Sequence, residues 1–213
     1  MANELRFGVV GESVPEGRGW LEHARRVEDA GVAALLLRDH FSAGAFGPQL
    51  APFSALAAAA AVTGRLRVGT MVLCNDFRHP IAARHADTVG ILPAPIKGSD
   101  DSDDPADRLP AAFDDKIATV RAAAGDRFGQ LELSAFATFV VTSRRRADTE
   151  ELIARRGWAG VSVETAWQMP TLFVGSPEQI RADLRERRER FGLSYLITPD
   201  HQLPVLAQVI SGL

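Results

Sequence analysis

The stretch NDFRHPIAARHADTVGI, residues 75–91, decides how this chain is built. Before it runs LRVGTMVL, residues 66–73, an apolar strand. Within its carboxyl end begins ADTVGIL, a second, shorter buried strand. Only about fourteen residues join the two, close to the dozen or so that a crossover between parallel strands requires.

Working outward, strands and helices alternate. LRFGVV, residues 5–10, is a strand. WLEHARRVEDAG is a helix whose Trp20, Leu21, Ala24, Val27 and Ala30 recur at helical spacing, with Gly31 to end it. VAALLLRDH is a continuous apolar strand, as burial on both faces demands, and a helix over residues 52–63 follows the loop FSAGAFGPQL. Beyond the opening stretch, GSDDSDDPADRL reads as an exposed loop and PAAFDDKIATVRAAAGDRFG as a helix. LELSAFATFVV is the longest single strand, and ADTEELIARRG is helical. In GSPEQIRADLRERRERFG, Ser176 is placed as N-cap, Pro177 as first helical residue, Gln179 as the partner that closes a capping box, and Gly192 as the stop. SYLIT is the last strand and PVLAQVIS a closing helix. Six strands, near residues 5, 34, 67, 88, 131 and 195, alternating with helices predict an α/β fold with a parallel sheet, open or closed into a barrel.

Composition narrows the function classes. With 213 residues, 46% of them hydrophobic, and a net charge of −3, the chain supports one sizeable core and has no basic excess to draw nucleic acid or acidic membranes. In RADLRERRER the residues Asp183, Glu186 and Glu189 interleave with the arginines at i,i+3 and i,i+4, the pattern of a solvated helix face. Cys74 is the only cysteine, so no intrachain disulfide forms. MANELRFGVV lacks a secretory signal and SALAAAAAV is too short to cross a bilayer, so a cytoplasmic protein is expected. Asp39, His40, His79, His85 and Asp87 show no metal-site spacing within one element, and no metal is expected. No G-x-G-x-x-G, P-loop or G-x-S-x-G pattern occurs.

FGVV, LLLRDHF, LRVGTMVLCNDFRHP, ARHADTVGI, FDDKIATVRAAAGDRFGQLEL and FVGSPEQIRADLRERRERFGLSYL, in this order, resemble the luciferase-like monooxygenase superfamily, and within it the members that use the deazaflavin coenzyme F-420. The resemblance covers nearly the whole chain. It implies a single truncated TIM-type (β/α) barrel over residues 1–213 with about six strand–helix units, the equivalent of two central units being missing near residues 80–85. A complete eight-stranded barrel has roughly 250 residues.

Barrel enzymes build their sites from loops at the carboxyl ends of the strands. By the resemblance, Asp39 and His40 lie beside the reactive ring of the coenzyme, and His40, titrating near neutrality, exchanges a proton with a substrate hydroxyl or carbonyl. On residue types alone, Asp39 equally serves as a helix cap and His40 as a residue packed at the barrel mouth. The strand end Met71, Val72, Leu73, Cys74 and Asn75 corresponds to the bed of the ring, with the family's non-proline cis peptide at Met71-Val72. Arg78 and His79 follow in the family's pattern. Arg78 carries a fork of donors for a phosphate or carboxylate, or makes a surface salt bridge.

Coenzyme F-420 and flavin mononucleotide (FMN) both carry a phosphate. The segment on which relatives keep the Gly-rich turn that holds it has no counterpart, and Gly175-Ser176-Pro177 is accounted for by its capping pattern. Two expectations stand side by side. One is a shortened oxidoreductase using coenzyme F-420 or reduced flavin on a small-molecule substrate. The other is a repurposed barrel, either a non-catalytic binding protein or a cofactor-free isomerase or cyclase. A homodimer is expected, its interface covering the region near residues 75–91 and the Ala-rich helix before it.

Overall fold

The computed structural model describes residues 4–12, 17–38, 50–71, 88–92 and 104–213. The element order is that of an α/β fold in which strands are followed by helices, a shortened TIM-type barrel. The chain forms two compact units, one of Arg6–Ala86 with Ile197–Ser211, the other of Asp87–Leu196 with the short terminal segments.

In the first unit, β1 (Arg6–Val10) pairs in parallel with β2 (Ala34–Leu37), which pairs in parallel with β3 (Arg67–Thr70). All of β2 is buried, as its unbroken Ala-Leu-Leu-Leu run requires. Helix α1 (Arg18–Asp29) buries Trp20, His23, Ala24 and Val27, an i, i+3, i+4, i+7 stripe, and α2 (Pro52–Ala60) buries Ala55, Leu56 and Ala59. The two helices are tied where Trp20 Nε1 donates to the Ala55 carbonyl at 2.8 Å. At the other end of α1, Glu28 Oε1 accepts three backbone N–H groups, those of Gly64, Arg65 and Leu66, at 2.6–2.9 Å. These bonds hold the Glu28 carboxyl below its usual range, the Arg65 amide being the largest cause. Helix α7 (Leu203–Ile210) completes this unit with buried Leu206 and Val209.

In the second unit, β4 (Thr88–Ile91) pairs in parallel with β5 (Glu132–Phe136), and β6 (Thr138–Val141) pairs in parallel with β7 (Leu172–Gly175). Helix α3 (Pro110–Ala124) lies in chain order before β5. Helices α4 (Arg145–Arg156) and α5 (Val163–Gln168) lie between β6 and β7. A cluster of Leu152, Trp158, Ala166, Met169, Leu172 and Val174 forms its buried centre, each large apolar member worth about 1.5–3 kcal/mol of transfer free energy. Phe139 and Phe173 stack at 5.1 Å across the β6–β7 pair. Helix α6 (Pro177–Phe191) follows, then β8 (Leu193–Pro199), whose residues 193–196 belong to this unit and 197–199 to the first.

Three expectations are corrected. The run LELSAFATFVV is two strands, because β5 pairs with β4 while β6, beyond buried Ala137, turns to β7. The strand β7 and the helix α5 were not expected at all. The described residues therefore hold eight strands, six of them in the larger sheet and two in the smaller.

The expected capping box at α6 is present in full. Gln179 N–H donates to Ser176 Oγ at 3.3 Å and Ser176 N–H to Gln179 Oε1 at 2.9 Å, and Gly192 ends the helix at φ 70°. The preceding Gly175 has φ 144°, and a Cβ there would stand 2.6 Å from Gln179 Oε1. Ser176→Ala should therefore cost about 1 kcal/mol in urea unfolding. Gly175→Ala should cost more, since it strains the backbone and displaces the glutamine as well.

Candidate functional site

The described groups at the carboxyl ends of the first unit's strands come from four chain segments. After β1, Gly11 N–H donates to the Leu36 carbonyl at 2.9 Å, and the Glu12 carboxylate is gripped by the Arg38 guanidinium that follows β2. After β3, Met71 N–H donates to the Leu37 carbonyl at 2.8 Å, extending a register in which Leu37 stands opposite Thr70. After β8, Thr198 Oγ1 donates to Gln202 Oε1 at 2.7 Å, and Asp200 is 4% exposed.

Asp200 Oδ2 lies 3.4 Å from Nε2 of His23, the buried imidazole of α1 that also stacks on Trp20 at 5.8 Å. His23 Nε2 has no hydrogen-bond partner, so the approach is an electrostatic contact. Burial pushes the His23 pKa down, the Asp200 carboxylate pulls it up by less, and Arg26 lowers it further. The folded protein thus holds a neutral imidazole beside a carboxylate.

Of the residues expected in the site, Met71 alone is described, half-buried at the β3 end. Asp39, His40, Val72, Leu73, Cys74, Asn75, Arg78 and His79 lie outside the described residues, as do the Met71-Val72 bond and residues 80–85, near which two units are expected to be missing. What the structure brings together is their points of departure. Arg38, immediately before Asp39, and Met71, immediately before Val72, leave adjacent parallel strands at the same level. Glu12, Arg38, His23 and Asp200 were not anticipated. For His23 a signal existed, since it falls on the apolar stripe between Trp20 and Ala24.

A coenzyme of the deazaflavin or flavin type needs a bed for its ring and donors for its phosphate. For the first, Met71, half-buried at the end of β3, is the one described residue of the expected bed. For the second, the α6 start is already committed: Ser176 N–H, Gln179 N–H and Ile180 N–H are bonded within the cap. Among the described residues no group of three His, Cys, Asp or Glu side chains is arranged to hold a metal, and no helix is long and apolar enough to cross a membrane.

Residues 6–92 match the sequence profile of a family described as luciferase-like monooxygenase. No curated protein matches the chain in sequence. Among solved structures, the chain is similar to the coenzyme F-420-dependent tetrahydromethanopterin reductase of Methanopyrus kandleri, at 11% identity and a TM-score of 0.60 over 99% of both chains. It is similar to the oxygenating constituent of the 3,6-diketocamphane monooxygenase of Pseudomonas putida, a type II Baeyer–Villiger enzyme in complex with FMN. That match has 11% identity and a TM-score of 0.60 over 98% of this chain and 97% of the other. A monooxygenase from Streptomyces bottropensis matches at 16% identity and a TM-score of 0.56 over 98% of both chains. At these identities the likeness shows the fold.

The lowered His23 pKa makes a pH prediction. The unfolded chain takes up a proton at His23 near pH 6.5, whereas the folded chain resists until lower pH. The contribution is therefore complete above about pH 6.5 and is lost as pH falls towards the folded-state value. The urea midpoint should drop between about pH 7.5 and 5.5, and His23→Gln should flatten part of that slope.

Proposed function

We propose that the chain is a shortened luciferase-like oxidoreductase that uses coenzyme F-420 or reduced flavin on a small organic substrate, including those of secondary-metabolite type, with Asp39 and His40 at the reacting centre. The observation that carries this reading is the register of β2 against β3. Leu37 stands opposite Thr70 and Met71 N–H donates to the Leu37 carbonyl, so Arg38 and Met71, the residues just before Asp39 and Val72, stand level on adjacent strands. Both segments lie within the residues matched by the family profile. The redox chemistry of the neighbours in fold supports the coarse assignment.

When bound, the coenzyme supplies an acceptor or donor of hydride. The chain's own part is to bed the ring on residues 71–75, to hold the phosphate with Arg78, and to manage the substrate proton. As a substrate alcohol loses hydride to oxidised coenzyme and its C=O forms, the hydroxyl proton would pass to the His40 imidazole, and where a carbonyl takes hydride from reduced coenzyme His40 would return the proton to its oxygen. The adjacent Asp39 carboxylate favours the imidazolium so formed.

One observation favours the competing reading, a barrel without redox coenzyme that serves as a binding protein or a cofactor-free isomerase or cyclase. The Gly175-Ser176 turn, a described glycine turn that opens directly onto a helix, spends the Ser176 and Gln179 N–H groups on its own cap, where a phosphate would need them free.

The two readings separate on mixing. Purified protein titrated with coenzyme F-420 and with FMN should perturb the absorbance of one of them saturably. In the responsive pair, His40→Ala should lower turnover by about 10²- to 10⁴-fold with little change in coenzyme affinity. No spectral change with either compound would transfer the case to the coenzyme-free reading.

The assembly proposed is a homodimer covering the region flanking residues 75–91. The strands β3 and β4 border that stretch, and each stands at an end of its run of paired strands. Light scattering should give twice the 23.0 kDa chain mass. A monomer that persists at tens of micromolar would remove the proposal.

A further inference from the structure

A cleft of about 720 Å³ within the second unit opens at the amino ends of β5 and β8, whereas barrel enzymes place their chemistry at carboxyl ends. Its volume is that of a small-ligand site. Ile117 of α3 with Leu131 and Leu133 at the start of β5 give it an apolar wall, and Phe128 and Phe191 add aromatic surface. Arg121, Arg188 and Arg190 also line it. Against Asp114 and Glu189 they leave a net single positive charge in the lining.

The Arg121 guanidinium lies 4.6 Å over the Phe128 ring, and Arg190 reaches Asp114 at 3.6 Å with both side chains about half exposed. Such a pair costs little to exchange for a ligand carboxylate. The decisive group is Ser194. It is 1% exposed, it lines the cleft, and its hydroxyl has no hydrogen-bond partner. Buried hydroxyls are normally bonded, so an unbonded hydroxyl on a residue of the cleft wall points to a ligand atom that would complete it.

We propose that this cleft binds a small aromatic hydroxy acid. The carboxylate takes the arginine donors, whose fork geometry suits it. The ring lies on Ile117, Leu131 and Leu133. The ligand hydroxyl meets Ser194 Oγ. One negative charge on the ligand matches the single net positive charge of the lining, which favours a monocarboxylate over a phosphate dianion.

The test uses the full chain without coenzyme, so its result is separate from that of the redox reading. Titration calorimetry with 4-hydroxybenzoate should show saturable binding with Kd near or below about 1 mM, and benzoate should bind more weakly. Arg121→Gln with Arg190→Gln should weaken both by about tenfold or more. Ser194→Ala should lower the affinity for 4-hydroxybenzoate to that for benzoate, leaving benzoate binding and the unfolding midpoint unchanged. The proposal is overturned by absence of saturation with either acid, by phenol binding as tightly as 4-hydroxybenzoate, or by a Ser194→Ala effect equal on both acids. Should Ser194→Ala shift the unfolding midpoint, Ser194→Cys, nearly the same size and a weaker donor, provides the comparison, and equal loss for both acids again overturns it.

Discussion

Parallel pairing of β1, β2 and β3 is the constraint from which the candidate site follows. Parallel strands point the same way, so each carboxyl end emerges on the same edge, and the register decides which residues emerge level with one another. Here Val10 stands opposite Leu36, and Leu37 opposite Thr70. A slip of one residue would turn the Ala-Leu-Leu-Leu face of β2 over and separate the two segments expected to carry the chemistry. The helices hold the register from outside. Trp20 anchors α1 to α2, and the three amides on Glu28 Oε1 fix where the chain turns into β3.

Where the determinants are local, the sequence was readable. Ser176, Pro177, Gln179 and Gly192 specify the ends of α6 through contacts spanning only a few residues, and the capping box formed as the spacing requires. The apolar runs of β1 and β2 and the stripe of α1 were legible for the same reason. What the sequence concealed depends on partners far along the chain. LELSAFATFVV contains no glycine or proline to mark a break, because the break at Ala137 is a change of neighbour, from β4 to β7. Leu172–Gly175 is a four-residue buried run whose composition suits a strand or a core loop equally, and only its pairing with β6 decides it. Gly175 follows the same logic, since its need for glycine is set by where the Gln179 side chain folds back.

The site was legible to a lesser degree. Residue types alone left Asp39 and His40 open between a cap-and-packing role and a catalytic one, and it was resemblance across several blocks that made them candidates. The structure adds two long-range side-chain contacts to that edge, Glu12 with Arg38 and His23 with Asp200, joining residues 26 and 177 positions apart in the chain. No pattern along the chain announces such meetings. The one partial exception is His23, an ionisable residue on an apolar stripe, whose position implied burial and hence a depressed affinity for protons.

The division of the chain into units has a consequence for its synthesis. The unit that carries β1, β2 and β3 also needs Ile197–Ser211, and all of Asp87–Leu196 is made in between. Gly31, where a Cβ would touch Ile210 at 3.4 Å, marks one point at which early and late segments meet. The early strands therefore complete their unit only once Leu206 and Val209, buried in that same unit, have been made. The unit whose strands come first in the chain is completed only by a segment that comes nearly last.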